Sequence, residues 1–368
     1  MGSAVLYTLL FPLRNVLGGL NLFQYITFRA AMAAITAFLF GVILGPWIIR
    51  ALKRRAIVED VINPDAPDLT PLRDKKHNTP TMGGIIIVTS ILVSTVLWAR
   101  PVLYVFLGML TVGALGTMGL VDDYFKLTKR GKRGLTKTQK ILVQTGLAVM
   151  LCVILFWVMK DLRWGTHFVL PFFKSVDWNL GYVFVIIGVI VIVGSSNAVN
   201  LTDGLDGLAI GSTIMATLGF IAISYVVGNS AFSSYLKIPY IPEAGELSVF
   251  CAAITGAGLA FLWFNCFPAE VFMGDTGSLP LGGALGYVAV VTRSEVLLLV
   301  IGGVFVVEAV SVILQVASFK LTGKRIFRMT PLHHHFQLGG WPETKVVVRF
   351  LIVGAILTAF AVATLKIR

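Results

Sequence analysis

Long apolar stretches alternate with shorter polar segments along the whole chain. About 20 consecutive apolar residues let a helix cross a hydrocarbon core about 30 Å thick. A membrane barrel would instead show short segments in which apolar and polar residues alternate. The pattern therefore predicts an all-α, polytopic membrane protein. We delimit ten membrane-spanning helices, near residues 26–49, 82–99, 101–121, 140–158, 179–199, 207–228, 247–266, 278–293, 295–319 and 346–365.

The composition supports this prediction. Of the 368 residues, 57% are hydrophobic and only 13% are charged, whereas a soluble domain carries about 25% charged residues. Since every loop is short, we interpret residues 1–368 as one integral membrane domain. Residues 1–25 lack the cleavage site of a signal peptide and are predicted to be an interfacial segment. The three cysteines, Cys152, Cys251 and Cys266, lie in or beside apolar spans and predict neither a disulfide framework nor a metal cluster.

The formal net charge of +12 is distributed unevenly. Basic residues are concentrated in three loops, within residues 50–76, 126–140 and 320–349, which follow the first, third and ninth predicted spans. By the positive-inside rule these loops face the cytoplasm, and both termini are external. We interpret the basic excess as a topology signal and an attraction for anionic lipid and phosphate, not as a nucleic-acid site.

Five aspartates lie at the ends of predicted spans, all on the predicted cytoplasmic side: Asp122, Asp123, Asp203, Asp206 and Asp275. A carboxylate at such a position must be paired or solvated, so an ionisable residue there indicates a functional site. Since all five face the same compartment, we predict that they belong to a single active site.

Two of the acidic segments are typical of metal or proton chemistry. Asp122 and Asp123 are adjacent at a helix end, which suits a proton acceptor or a magnesium ligand. The Asp-Asp-x-x-Asp pattern of prenyl diphosphate synthases is not matched, because Lys126 stands where the third acid would be. Asp275 lies between glycines at the start of a helix, where a cation ligand for a metal–phosphate complex is expected.

A third segment, residues 197–207, joins two spans with almost no loop. Its amide and carboxylate side chains, Asn200, Asp203 and Asp206 among them, would be costly near the membrane unless they bind something. Gly204 would let the backbone approach a ligand closely. We therefore favour a binding function for this segment over a structural one.

Lysine and histidine complete the polar inventory of this face. Lys76 could bind a phosphate or could serve only as a positive-inside charge. Three consecutive histidines, His333, His334 and His335, cannot all point at one ion from a regular element, so contact with phosphate or sugar is favoured over zinc. Acids, lysines and histidines on one face fit phosphoryl transfer, which depends on cations and alignment more than on a protein nucleophile.

These motifs closely resemble those of the phospho-N-acetylmuramoyl-pentapeptide-transferase family, within the superfamily of polyprenyl-phosphate N-acetylhexosamine-1-phosphate transferases. The similarity extends over essentially the whole chain, from residues 25–29 to residues 363–368. The acidic motifs are shared across the superfamily. The histidine segment, which continues to residues 340–345, points to the muramoyl family.

The resemblance implies transfer of phospho-MurNAc-pentapeptide from UDP-MurNAc-pentapeptide to undecaprenyl phosphate, which yields lipid I and UMP and requires Mg²⁺. It also implies ten helices, a homodimer, and a site facing the cytoplasm at the bacterial inner membrane. By the same resemblance Asp275 holds magnesium, and Asp122 or Asp123 deprotonates or orients the lipid phosphate. Substrate contacts are implied for Lys76, Lys126, Lys132, Asn200, Asp203, Gly204, Asp206, Asn265, Phe272, His333, His334 and His335.

The sequence leaves open three alternatives to this mechanism and function. A two-step route would use Asp122 or Asp123 as a covalent nucleophile instead of direct attack by the lipid phosphate. A GlcNAc-1-phosphate transferase of the same superfamily would share the acidic motifs. A transporter for an anionic solute could also place polar residues at membrane depth, but its polar path would continue to the external side, where no matching set is found.

Overall fold

The computed structural model describes Leu6 and residues 18–54, 79–128, 134–170 and 178–366. Lys76, Lys132 and most of the predicted interfacial segment 1–25 lie outside these residues. The described chain is mainly helical. In chain order its α-helices are α1 (Ile26–Arg54), α2 (Gly84–Trp98), α3 (Leu103–Thr128), α4 (Lys137–Met159), α5 (Val183–Thr202), α6 (Leu208–Val227), α7 (Ser230–Leu236), α8 (Leu247–Asn265), α9 (Asp275–Val291), α10 (Glu295–Ile301), α11 (Gly303–Thr322), α12 (Leu332–Leu338) and α13 (Glu343–Thr364).

Eight of these helices are long and apolar enough to cross a membrane: α1, α3, α4, α5, α6, α8, α11 and α13. The chain is therefore a multi-pass membrane protein, as the apolar pattern predicts. Helices also form over the predicted second and eighth spans, but α2 has only 15 residues and α9 only 17. The count of ten spans and the external position of the termini stay predictions.

The ninth predicted span, 295–319, is wrong as a continuous helix. α10 ends at Ile301 and α11 begins at Gly303, with Gly302 between them. Glycine has a low helix propensity, so the Gly302–Gly303 pair is a favourable place for a helix to break. The second half of α11 exposes large apolar side chains, such as Ile313 (65% exposed) and Leu321 (84% exposed), and lies at the periphery of the bundle.

One small element departs from the all-α expectation. Between α4 and α5, the two-residue strands β1 (His167–Phe168) and β2 (Trp178–Asn179) pair in antiparallel fashion. They lie in a loop that the charge pattern places outside the membrane. They contribute nothing to the opposite end of the bundle, where the acidic motifs lie.

Helices α8 and α9 form the centre of the bundle. Every residue of α9 is buried, and α8 is buried along nearly its whole length. α9 packs mainly against α3 and α5, whereas α8 packs mainly against α1 and α6. The surrounding helices expose large apolar side chains, as membrane lipid allows.

Hydrogen bonds across helix ends show which ends lie together. The end of α3 bonds to the start of α9 through Asp123 and Thr276. The end of α8 bonds to the start of α6 through Asn265 and Gly207. The polar loops predicted to be cytoplasmic therefore meet at one end of the bundle. At the other end, Arg29 of α1 forms a buried ion pair with Glu246, Nη2 lying 2.6 Å from Oε1.

Candidate active site

Three carboxylates converge where the end of α3 meets the start of α9. Asp122 and Asp123 lie near the end of α3, and Asp275 is the first residue of α9. One oxygen from each lies within 4.8 Å of the others. All three residues are buried, with 0%, 4% and 9% of their surface exposed, respectively. The structure thus brings together Asp123 and Asp275, which are 152 positions apart in the sequence.

Two lysines neutralise much of this negative charge. Lys126, one turn beyond Asp122 on α3, places Nζ 2.7 Å from Asp122 Oδ2 and 3.3 Å from Asp275 Oδ2. Lys140, near the start of α4, places Nζ 2.6 Å from the same two oxygens. Three carboxylates and two ammonium groups leave a formal charge of −1. The cluster therefore has both acceptors for a cation and donors for a phosphate.

Asp123 anchors one helix to another. Its Oδ2 accepts hydrogen bonds from the backbone N–H of Thr276 (3.0 Å) and from Thr276 Oγ1 (2.8 Å). These bonds satisfy donors at the N-terminus of α9 and place a negative charge at the positive end of its dipole. One turn earlier on α3, a Cβ at Gly119 would lie only 2.2 Å from the Asp275 carbonyl oxygen. The α3 and α9 backbones are therefore in direct contact beside the carboxylates.

Asp122 has a different environment from its neighbour. Its Oδ1 accepts a hydrogen bond from the backbone N–H of Leu135 at 2.7 Å. Its Oδ2 faces the ammonium groups of Lys126 and Lys140. One oxygen of Asp122 is thus fixed by the loop before α4, and the other points at the centre of the cluster.

The cluster fits a hard divalent cation. Its donors are all carboxylate oxygens, which Mg²⁺ prefers, and Mg²⁺ sites commonly use one or two carboxylates and complete the shell with water and substrate phosphate. Asp275 Oδ2 and Asp122 Oδ2 are both directed at the centre of the cluster, where the ammonium groups of Lys126 and Lys140 contact them. A cation could replace these ammonium groups without displacing the backbone.

The other two predicted acids lie in the turn between α5 and α6, outside the three-carboxylate group. Asp206 Oδ2 accepts from the backbone N–H of Ala269 at 3.1 Å, and the Asp206 N–H donates to Glu343 Oε1 at 2.9 Å. Asn265 accepts from the Gly207 N–H at 3.0 Å and donates to the Val271 carbonyl at 2.9 Å. Asp206 and Asn265 therefore tie this turn to α8 and to the loop after α8. Asp203 is half-buried at the end of α5.

Asn200 and Phe272 connect the turn and the carboxylate cluster to the rest of the site. Asn200 Oδ1 accepts from Ser278 Oγ at 2.7 Å, and Ser278 lies one turn beyond Asp275 on α9. The Phe272 N–H donates to the Pro80 carbonyl at 2.8 Å, which pairs the segment before α9 with the segment before α2. Segment 197–207 is thus adjacent to the start of α9, where Asp275 lies, as a single site requires.

The three histidines point in different directions, as their adjacency in the sequence predicts. His333 is fully buried against Glu308 of α11, with Nδ1 3.2 Å from Oε2. His334 contacts Gln337, and His335 Nδ1 accepts from the Arg328 N–H. A Cβ at Gly204 would lie 2.3 Å from His333 Nε2. The histidine segment therefore packs directly on the turn that holds Asp203 and Asp206.

Sequence reasoning missed three residues that shape this site: Lys140, Glu308 and Glu343. Lys140 was one of many basic residues on the predicted cytoplasmic side, and nothing local distinguishes it from Lys137. Glu308 carried a usable signal, because a carboxylate inside an apolar span is costly without a partner. Glu343 starts a helix, where an acid is common for purely local reasons.

Comparisons with known proteins identify the family of this chain. The family model described as glycosyl transferase family 4 matches residues 103–293. Signature 1 of phospho-N-acetylmuramoyl-pentapeptide-transferase matches residues 76–88. The chain is 49% identical to the phospho-N-acetylmuramoyl-pentapeptide-transferase of Citrifermentans bemidjiense over 365 residues, 99% of this chain and 100% of that protein. It is 47% identical to the protein of that name from Syntrophus aciditrophicus over 366 residues, 99% of this chain and 100% of that protein.

Proposed function

This chain belongs to the phospho-N-acetylmuramoyl-pentapeptide-transferase family, and from that premise we propose that it transfers phospho-MurNAc-pentapeptide from UDP-MurNAc-pentapeptide to undecaprenyl phosphate. An oxygen of the lipid phosphate attacks the sugar-bearing phosphorus of the donor. The bond from that phosphorus to the bridging oxygen breaks, and UMP leaves with that oxygen. The product is lipid I. The observation that carries the proposal is the convergence of Asp122, Asp123 and Asp275 with two lysines.

We infer that Asp275, with a second oxygen from Asp122, would hold Mg²⁺ at the centre of the cluster. A bound Mg²⁺ would neutralise negative charge on the diphosphate of the donor. Lys126 and Lys140 would then donate to phosphate oxygens, since both ammonium groups already lie within 3.5 Å of the oxygens that would hold the cation. Both substrates are anionic at the reacting phosphates, so charge neutralisation by this cluster is expected to be its largest contribution to the rate.

The two adjacent aspartates take different roles in this proposal. Asp123 is a positioning group, because Oδ2 is already bound by the Thr276 N–H and hydroxyl and so holds α9 in place. Asp122 is the better candidate to orient the lipid phosphate through the cation and ammonium groups, since Oδ2 faces the centre of the cluster. The same contacts favour direct transfer over the two-step route, because two ammonium groups weaken Asp122 as a nucleophile. Trapping a phosphoaspartate with the nucleotide donor alone would contradict this choice.

The turn between α5 and α6 and the histidine segment would receive the nucleotide and sugar parts of the donor. The residues assigned to this region are Asn200, Asp203, Gly204, Asp206, Asn265, Phe272, His333, His334 and His335. Asn265 and Asp206 would act mainly by fixing the turn, because their side chains already bond to the neighbouring backbone. On the strength of the family resemblance, Lys76 remains a proposed residue of the uridine side and Lys132 a proposed phosphate ligand.

The site is proposed to face the cytoplasm at the bacterial inner membrane. Basic residues lie at the same end of the bundle as the carboxylate cluster, including Lys53 and Arg54 at the end of α1 and Lys320 near the end of α11. This distribution supports a cytoplasmic orientation by the positive-inside rule. We also propose a homodimer, as the family resemblance implies. Mass measurement of the purified protein in detergent or nanodiscs tests that state.

The donor assay tests the proposed function. Purified protein receives undecaprenyl phosphate, Mg²⁺ and either UDP-MurNAc-pentapeptide or UDP-GlcNAc, and UMP release is followed. We expect turnover with the muramoyl donor, dependence on the lipid acceptor, and little turnover with UDP-GlcNAc. Preferred use of UDP-GlcNAc would assign the chain to the other branch of the superfamily. UMP release without an acceptor would contradict direct transfer.

A further inference from the structure

A second buried carboxylate lies close to the proposed donor site but outside the acidic cluster. Glu308 belongs to α11, one of the helices apolar enough to cross the membrane, and its exposed fraction is 0%. A carboxylate inside such a helix must have a partner, and partnered acids of this kind commonly mark functional positions. Its partner is His333, which is also fully buried.

Both carboxylate oxygens of Glu308 are used on the same histidine. The backbone N–H of His333 donates to Oε1 at 3.2 Å, and the ring atom Nδ1 lies 3.2 Å from Oε2. A backbone contact and a ring contact together fix the position of the residue and the rotation of its imidazole. Within the described residues neither ring nitrogen of His333 has a hydrogen-bond partner, so the approach of Nδ1 to Oε2 is a close electrostatic contact and not a hydrogen bond. The nearby carboxylate favours the proton on Nδ1, which leaves Nε2 as the nitrogen that can meet a ligand.

Nε2 of His333 is directed at the turn between α5 and α6. A Cβ built on Gly204 would lie 2.3 Å from Nε2 and 2.9 Å from the adjacent ring carbon. Within the described part of the chain, Nε2 has no hydrogen-bond partner although it is buried. Leaving a buried polar atom unpaired costs free energy, so such an atom indicates a group that a ligand is meant to satisfy.

We propose that Glu308 is a positioning residue for donor recognition, which acts by fixing the His333 ring so that Nε2 faces the donor across Gly204. This inference rests on the proposed function, in which that turn and the histidine segment receive the nucleotide donor. Because Nδ1 carries the proton, Nε2 accepts, so the group recognised is a hydroxyl or N–H of the donor, such as one on its sugar, and not a phosphate oxygen. Glu308 itself touches no substrate, and its effect passes entirely through His333.

The test compares Glu308→Gln with wild type for both substrates. The amide keeps the size of the side chain and can still accept from the backbone N–H of His333, but it no longer fixes Nδ1 as the protonated nitrogen. We expect kcat/KM for UDP-MurNAc-pentapeptide to fall about tenfold to a hundredfold, because the His333 ring loses the charged contact that favours its orientation and tautomer. The KM for undecaprenyl phosphate should stay within about twofold of wild type.

A double-mutant cycle separates this role from general destabilisation. In a His333→Asn background, Glu308→Gln should change donor kcat/KM by less than about twofold, because the ring on which it acts is gone. An equal loss in both backgrounds would overturn the proposal. So would an unchanged donor kcat/KM in the single variant.

Glu246→Gln is the matched control. Glu246 is also a buried carboxylate with a buried basic partner, Arg29, but it lies at the opposite end of the bundle. The Glu246→Gln substitution should lower Tm while leaving donor kcat/KM of the folded enzyme unchanged. A loss of donor kcat/KM equal to that of Glu308→Gln would overturn the proposal. If Glu308→Gln does not fold, Gly204→Ala tests the same contact by pushing on Nε2, and an unchanged donor kcat/KM there would overturn it. Absence of turnover by wild type would contradict the proposed function instead.

Discussion

The substitution Gly119→Ala, which adds one methyl group next to the carboxylate cluster, should strongly lower the activity of the site. A Cβ at this position would lie 2.2 Å from the carbonyl oxygen of Asp275 and 2.4 Å from its carbonyl carbon, whereas ordinary contact begins at 3.4 Å. Both atoms belong to the backbone, so no side chain can rotate away. Helices α3 and α9 must separate by roughly 1 Å at the level of Asp275, since overlap this close is strongly repulsive. Overpacking of this kind typically costs about 1–3 kcal/mol of stability.

The larger effect is expected on catalysis. A misplacement of about 1 Å can lower a rate about a hundredfold, because the reacting groups lose their alignment. UMP release per folded enzyme should therefore fall by about that factor in Gly119→Ala, with a lower Tm. Gly113→Ala is the control on the same helix, since no atom lies within 4 Å of a Cβ placed there. If Gly119→Ala matched Gly113→Ala in rate and Tm, the close contact between α3 and α9 would not position the site.

Three further substitutions test individual contacts. Lys140→Met should lower kcat about a hundredfold or more, because it removes one of two ammonium groups from the cluster. Lys137→Met, on the exposed side of the same helix, should leave kcat unchanged. Equal kcat values for the two variants would refute the assignment of Lys140 to the cluster. Asn265→Ala should lower stability by about 1–3 kcal/mol, since the buried Gly207 N–H and the Val271 carbonyl lose their partner; an unchanged unfolding midpoint in detergent would count against that role. Arg29→Met leaves Glu246 buried beside a weaker partner and should cost about 3–5 kcal/mol, which thermal unfolding would reveal as a large drop in Tm.

The apolar pattern predicted the membrane architecture well because each span leaves a long local signal. The helices α1, α3, α5, α6 and α8 begin and end within a few residues of the predicted spans, apart from the end of α3, which continues to Thr128, and the end of α1, which continues to Arg54. The break at Gly302 was missed, because an apolar run reads the same whether the helix is continuous or interrupted. Glycine pairs occur elsewhere in this chain within unbroken helices, as at Gly282 and Gly283.

The acids of the site were found from the sequence for a physical reason: a carboxylate at a membrane boundary is rare and costly without a role. Asp122, Asp123 and Asp275 meet in the structure. Asp203 and Asp206 lie in a neighbouring turn, and Asp206 is already bonded to the Ala269 backbone. The cost of placing a carboxylate at the membrane boundary is similar for all of these acids. That cost alone therefore could not show which acids lie at the centre of the site and that Asp206 fixes the neighbouring turn.

The partners of these acids were harder to predict, because partnership depends on packing between distant helices. Lys140 is 135 residues from Asp275, and Glu308 is 25 residues from His333. No period or motif in the sequence relates these pairs. Lysines are also abundant on this face for reasons of topology, so charge alone could not identify the one that enters the cluster.

Magnesium-dependent UMP release by wild type and by Asp275→Asn tests the account most directly. Both purified proteins receive UDP-MurNAc-pentapeptide and undecaprenyl phosphate over a range of Mg²⁺ concentrations. Wild type should show saturable dependence on Mg²⁺, and Asp275→Asn should lose about 10²–10³-fold in kcat and require more Mg²⁺. Near-full activity of Asp275→Asn with unchanged Mg²⁺ dependence would contradict a phosphoryl-transfer centre at the three carboxylates.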